Sequence, residues 1–105
     1  MKRPRSLLIS PFTWEVEARP GWGEGTGNMG NTLKDSHQIV IDPGLTEQAE
    51  RDTVLHEVFH AAWSQTPLQR KYTEDQEEEI IWALTPRLLG VLQDNPKFLR
   101  WLLGR

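Results

Sequence analysis

Between the Pro43-Gly44 pair and Pro67 the sequence supports one long helix, and the rest of the reading hangs on it. Thr46 is placed to cap that helix, with Glu47 and Glu50 near the positive end of its dipole. The residue before a proline is held out of the helical region, so the helix should stop before Pro67. His56-Glu57-Val58-Phe59-His60, the pattern HExxH, falls inside it. Residues four apart lie one turn above each other with Cβ atoms roughly 6 Å apart, so both imidazoles reach one metal ion from the same face. Glu57 projects about 100° around the axis from His56. It borders the ion without lying between the two rings, as a base for metal-bound water should. Leu55, Val58, Phe59 and Ala62 give the apolar stripe of a helix packed on a core. The histidines run along its edge beside Phe59 and Trp63, which implies a half-buried site.

The segments on either side set the fold class. Leu7 to Ser10 and Thr13 to Ala18 read as two short strands, the second alternating Trp14, Val16 and Ala18 against Glu15 and Glu17. Arg19 to Asn31 is glycine-rich and reads as a long loop at the rim of a cleft. Gln38 to Asp42 is a β-branched run closed by Pro43-Gly44, hence a strand ending in a turn. After the motif helix, Thr73-Glu74-Asp75-Gln76 has capping-box spacing and opens a second helix that runs toward Gln93. Pro86 must kink that helix, or split it with Thr85 as a new cap. Asn95 and Pro96 supply a cap and a first-turn proline for a short terminal helix, Lys97 to Leu103, ended by Gly104. Strands followed by helices specify a single α+β domain over residues 1–105. A small sheet of three to four strands packs against the HExxH helix and a second, proline-kinked helix.

Composition narrows the function classes. With 105 residues, 37% hydrophobic and 26% charged, the chain suits one globular domain with a modest core. A net charge of -3 supplies no positive field for a phosphate backbone or an anionic membrane, so neither nucleic acid nor membrane is expected as a partner. Lys2, Arg3 and Arg5 read as a solvated N-terminus. The absence of cysteine excludes thiol nucleophiles and Cys-based metal sites and fits a reducing cytoplasm. The run Ser6 to Ser10 is too short for a signal sequence, and no stretch approaches the roughly 20 apolar residues of a membrane-spanning helix.

A catalytic zinc takes three protein ligands and keeps a fourth position for water. His37 is the only other histidine. That leaves the acidic opening of the second helix, Glu74, Asp75, Glu77, Glu78 and Glu79, although acidic residues belong at a helix N-terminus in any case. Ile81, Leu84, Leu88 and Leu92 define the buried stripe of this helix. Glu77 lies near the middle of that stripe, Glu78 on the flank and Glu79 away from it, which favours Glu78 with Glu77 close behind. A purely structural alternative pairs His56 with Glu57 or Arg51, and His60 with Gln65.

The segments Asp52 to Ala61, Glu77 to Ile81 and Leu92 to Pro96 resemble small zincin metallopeptidases of the kind found in phages and prophages, similar in plan to minimal gluzincins. The resemblance covers residues 36 to 100. It implies zinc bound by His56, His60 and Glu78, with Glu57 as catalytic base. It also implies a sheet whose edge strand precedes the active-site helix, so that residues Ile39 to Asp42 line the cleft and receive a peptide or protein substrate by strand addition. The Asn-Glu and Glu-x-x-x-Asp pairs of larger gluzincins are absent, leaving Tyr72 and His37 as candidate oxyanion donors. The function expected on this basis is peptide-bond hydrolysis by a zinc-bound water that Glu57 activates. Two alternatives use the same residues differently: a ferrous enzyme with a 2-His-1-carboxylate site, and a non-catalytic interaction module.

Overall fold

Strand β1 (Ser6–Ile9) and strand β2 (Phe12–Ala18) form an antiparallel hairpin in which Leu7 faces Trp14. These coordinates come from a computed structural model that describes residues 2–20 and 29–105. The alternation of β2 has the expected sense: Trp14 and Val16 are buried while Glu15 is exposed. Strand β3 (Gly30–Leu33) turns through residues 34–37 into β4 (Gln38–Ile41), and the sheet order is β1-β2-β4-β3. β4 runs parallel to β2 and antiparallel to β3.

This order corrects two readings. Residues Ile39 to Asp42 do not form an edge that can take a peptide, because β4 is paired on both sides and Ile39, Val40 and Ile41 are fully buried. A continuous β-branched run is the signature of a strand covered on both faces, and it belongs in the middle of a sheet. Among the described residues the edges of the sheet are β1 and β3. Gly30 and Asn31, read as the end of a loop, instead belong to strand β3, which exists through its pairing with β4 rather than through local propensity. Residues 21–28 of that loop lie outside the described residues.

Helix α1 (Glu47–Ser64) is capped as expected, with Thr46 Oγ1 accepting from the Ala49 N–H at 3.2 Å. Its most buried residues are Thr53, Glu57 and Ala61, one per turn. Ala61 joins Trp14, Val16, Ile39 and Ile41 in the core, with Leu7, Ile9, Val54 and Val58 packed around them. Of the apolar stripe read from the sequence, Val58 therefore packs on this core, and Phe59 and Ala62 mark a second side of the helix. Phe59, Ala62 and Trp63 line an apolar groove with Ile80, Ile81 and Leu84 of the helix that spans Glu74–Asp94. At the end of α1, Gln65 accepts from Trp14 Nε1 at 2.8 Å and donates to the Ile9 carbonyl at 2.9 Å, fastening the helix to the first hairpin. Arg3 is not part of a solvated terminus, since its guanidinium bonds Glu50 at 2.8 Å.

A short helix α2 (Leu68–Lys71) leads to α3 (Glu74–Asp94), whose capping box has both halves: Thr73 Oγ1 accepts from Gln76 N–H at 3.2 Å and Gln76 Oε1 accepts from Thr73 N–H at 2.9 Å. Pro86 does not split α3. Thr85 stays helical, fully buried, and its hydroxyl donates to the Ile81 carbonyl at 2.7 Å instead of capping a new segment. Of the stripe Ile81, Leu84, Leu88 and Leu92, only Ile81 is fully buried, while Leu84 and Leu88 are exposed. Helix α4 (Pro96–Leu103) has Pro96 at its start and Gly104 at φ 71° after its end, both as expected. The architecture is α+β: a four-stranded sheet, α1 against it, and α3 against α1. None of the described helices is long and apolar enough to cross a membrane.

Candidate metal centre

The site starts from the close approach of β3 to α1. A Cβ at Gly30 would lie 2.7 Å from Thr53 Cγ2 and 3.3 Å from Glu57 Cγ, so this strand position needs glycine to lie where it does. Two residues on, Thr32 Oγ1 lies 3.0 Å from both the backbone carbonyl and Oε1 of Glu57. The hydroxyl has one proton for two acceptors. When Glu57 is ionised, Thr32 donates to one of them. When Glu57 is protonated, its carboxyl donates to Oγ1 and the hydroxyl proton goes to the carbonyl. The pair thus accommodates both states of Glu57, as a group that takes up and returns a proton requires. Burial pushes the Glu57 carboxyl above the ordinary carboxylate range, His56, the Thr32 bond and His60 pull it back, and Glu78 adds to the rise.

One turn of α1 brings His56 and His60 together with their Nε2 atoms 3.2 Å apart. The carboxylate of Glu78, from α3, spans them, with Oε1 2.9 Å from His56 Nε2 and Oε2 2.7 Å from His60 Nε2. Its neighbour Glu77, only 3% exposed, bonds the other ring nitrogen, Nδ1, of His60. Lys34, from the turn after β3, lies 3.7 Å from the second oxygen of Glu77 and donates to Gln69 Oε1 at 3.0 Å. The flank residue and the stripe residue, treated as alternatives in the sequence, thus both reach the histidines, at different atoms. Glu79 is exposed.

Proton bookkeeping tests whether this donor set suits a cation. With both glutamates ionised and no cation between them, the contacts to Glu78 require a proton on both Nε2 atoms, which then point at each other, and His60 must carry a second proton for Glu77. As a cation site, both Nε2 lone pairs and Glu78 face one point, and only His60 Nδ1 needs its proton, which it donates to Glu77. That is the arrangement in which an outer carboxylate orients a metal-bound imidazole. Two zinc–nitrogen bonds of about 2.0–2.1 Å meeting near the tetrahedral angle separate their nitrogens by about 3.3 Å, against the 3.2 Å found. The residues fit zinc. His56, Glu57 and His60 place their ligand atoms within 4.8 Å of one another.

The structural partners weighed for the histidines are engaged elsewhere. Arg51 pairs with Glu47 at 3.7 Å and Gln65 with the first hairpin. The two candidate oxyanion donors do not line the cleft: His37 packs between Phe12 and Trp14, with ring centroids at 4.5 and 4.8 Å, and Tyr72 stands edge-on to Trp63. Thr32 and Lys34 went unremarked in the sequence because no motif marks them; their roles come from the β3–β4 hairpin, which no local signal announces. The cleft has a volume of about 1060 Å³ and is bordered by β3, the turn after it, α1 and the opening of α3.

No family model matches the chain, and no solved structure matches it. The G patch domain-containing protein 1 of Bos taurus is 30% identical over 82 residues, which are 75% of this chain and 9% of that protein. The chain therefore spans less than a tenth of the length of this relative, and the similarity concerns one segment of it.

Proposed function

We propose that this protein is a zinc-dependent peptidase with a zincin-like centre, in which His56, His60 and Glu78 hold the metal. The observation that carries the reading is the Glu78 carboxylate spanning two imidazole nitrogens that lie 3.2 Å apart, beside a buried glutamate of the same helix. Bound there, zinc supplies a Lewis acid that polarises a carbonyl oxygen and lowers the pKa of a water toward about 7. The chain's own residues do the rest. Glu57 removes a proton from the water that attacks the scissile carbonyl and delivers it to the amine nitrogen as the C–N bond breaks. Thr32 keeps the Glu57 carboxyl aimed during both transfers. Glu77 fixes the tautomer and the plane of His60, and Lys34 anchors Glu77.

An extended peptide enters along the outer edge of β3, which lines the cleft over Gly30 to Leu33, and displaces the Asn31 side chain whose Oδ1 accepts from the Thr32 N–H at 2.9 Å. The test is Glu57→Gln. It is expected to retain one equivalent of zinc and to lower hydrolysis of an unstructured peptide by about 10²-fold or more. A variant as active as the wild type contradicts the role of Glu57. Iron instead of zinc in protein purified without added metal favours the ferrous reading of the same three residues.

A further inference from the structure

Four carboxylates border the cleft without belonging to the centre itself. Asp35 comes from the turn after β3, Asp52 from α1, and Glu74 and Asp75 from the first turn of α3. Among the described residues none of the four pairs with a lysine or arginine. In all, the lining carries seven carboxylates and one ammonium, that of Lys34, which Glu77 and Gln69 already engage. A bound dication leaves the lining strongly negative. Residues 21–28 contain no lysine or arginine, so no cation from that stretch offsets the excess.

The dipole of α3 accounts for Glu74 and Asp75, since carboxylates stabilise a helix N-terminus. It does not account for Asp35 and Asp52, which face the same space from a turn and from a different helix. Like charges converging from three elements oppose folding, and such local conflicts collect at functional sites. Trp82 adds a second kind of group. It is 71% exposed, lines the cleft, and sits one turn beyond Glu78 on α3.

We propose that the cleft selects cationic peptides: an extended segment carrying lysine and arginine, whose charged side chains face Asp35, Asp52, Glu74 and Asp75, with a guanidinium seated on Trp82. Arginine suits that last place better than lysine, because a planar guanidinium stacks on an indole face. The inference takes from the peptidase reading only that the ligand is a peptide; the charge preference is a property of binding.

The experiment uses the full chain as Glu57→Gln, loaded with zinc, and fluorescence anisotropy with three unstructured peptides of equal length: arginine- and lysine-bearing, neutral, and glutamate-bearing. The cationic peptide is expected to bind about tenfold or more tightly than the neutral one at low salt, with the difference largely lost near 0.5 M salt. Asp35→Asn, Asp52→Asn and Asp75→Asn combined are expected to remove most of the preference, each keeping shape. Trp82→Ala is expected to weaken an arginine peptide more than a lysine peptide. Equal or tighter binding of the neutral or acidic peptide, or no binding of any, overturns the inference. Wild-type cleavage of neutral and cationic peptides with equal kcat/KM overturns it too, while leaving the peptidase reading intact. Salt-sensitive binding of the cationic peptide with no cleavage by the wild type does the reverse.

Discussion

Glu77 and Glu78 are consecutive residues with different tasks, because a helical step of about 100° turns one toward Nδ1 of His60 and the other toward Nε2. The first is buried and the second more than half exposed, so solvent reaches the centre from the side of Glu78. The difference is measurable. Glu77→Gln keeps the size of the side chain but removes the charge that holds His60 in its donor tautomer, and zinc affinity is expected to fall about 10–100-fold, read by competition with a chromophoric chelator. Lys34→Met acts one contact further out and is expected to weaken affinity less, with Lys34→Arg restoring it. If Glu77→Gln binds zinc as tightly as the wild type, the carboxylate does not orient His60 and is only a buried helper of folding.

At the scale of elements, the pairing of β3 with β4 and its approach to α1 bring Thr32 to Glu57. Gly30→Ala forces a methyl group against Thr53 Cγ2 at 2.7 Å, where a short branched side chain cannot swing aside. The expected loss is about 1–3 kcal/mol in denaturant unfolding, and Thr53→Ser, which removes that methyl, is expected to recover part of it. Additive losses in the double variant contradict the contact. What was legible in the sequence follows the same division. HExxH, the Thr46 cap, the Thr73 capping box and the Pro96 to Gly104 helix are local codes, and each was read where it stands. β3 was not, because Gly30 and Asn31 become strand only through partners eleven and nine residues on. The central place of β4 was missed for the related reason that strand order is not local. The sheet-facing side of α1 was misread because Thr53, Glu57 and Ala61 carry little hydrophobicity; their burial comes from small size and from the bond to Thr32. Helical phase points to Glu78 ahead of Glu77, and the two carboxylates touch His60 at its two ring nitrogens.

For the whole molecule, the centre joins three stretches that are distant in sequence: β3 with its turn, α1, and the opening of α3. A cation held by His56, His60 and Glu78 clips α1 to α3. At free zinc about 100-fold above Kd this adds roughly 2.7 kcal/mol to the stability of the folded state. For a domain of this size the melting temperature moves by roughly 4–8 °C per kcal/mol. Removing the metal with a chelator is therefore expected to lower Tm by roughly 10 °C or more, and His60→Ala protein is expected to show no response to the chelator. The most direct measurement is zinc K-edge X-ray absorption on protein loaded with one equivalent of metal. Two imidazole nitrogens with oxygen neighbours at about 2.0–2.1 Å are expected. Zinc that fails to stay bound through dialysis, or that shows an oxygen-only shell, contradicts a metal centre at the paired histidines.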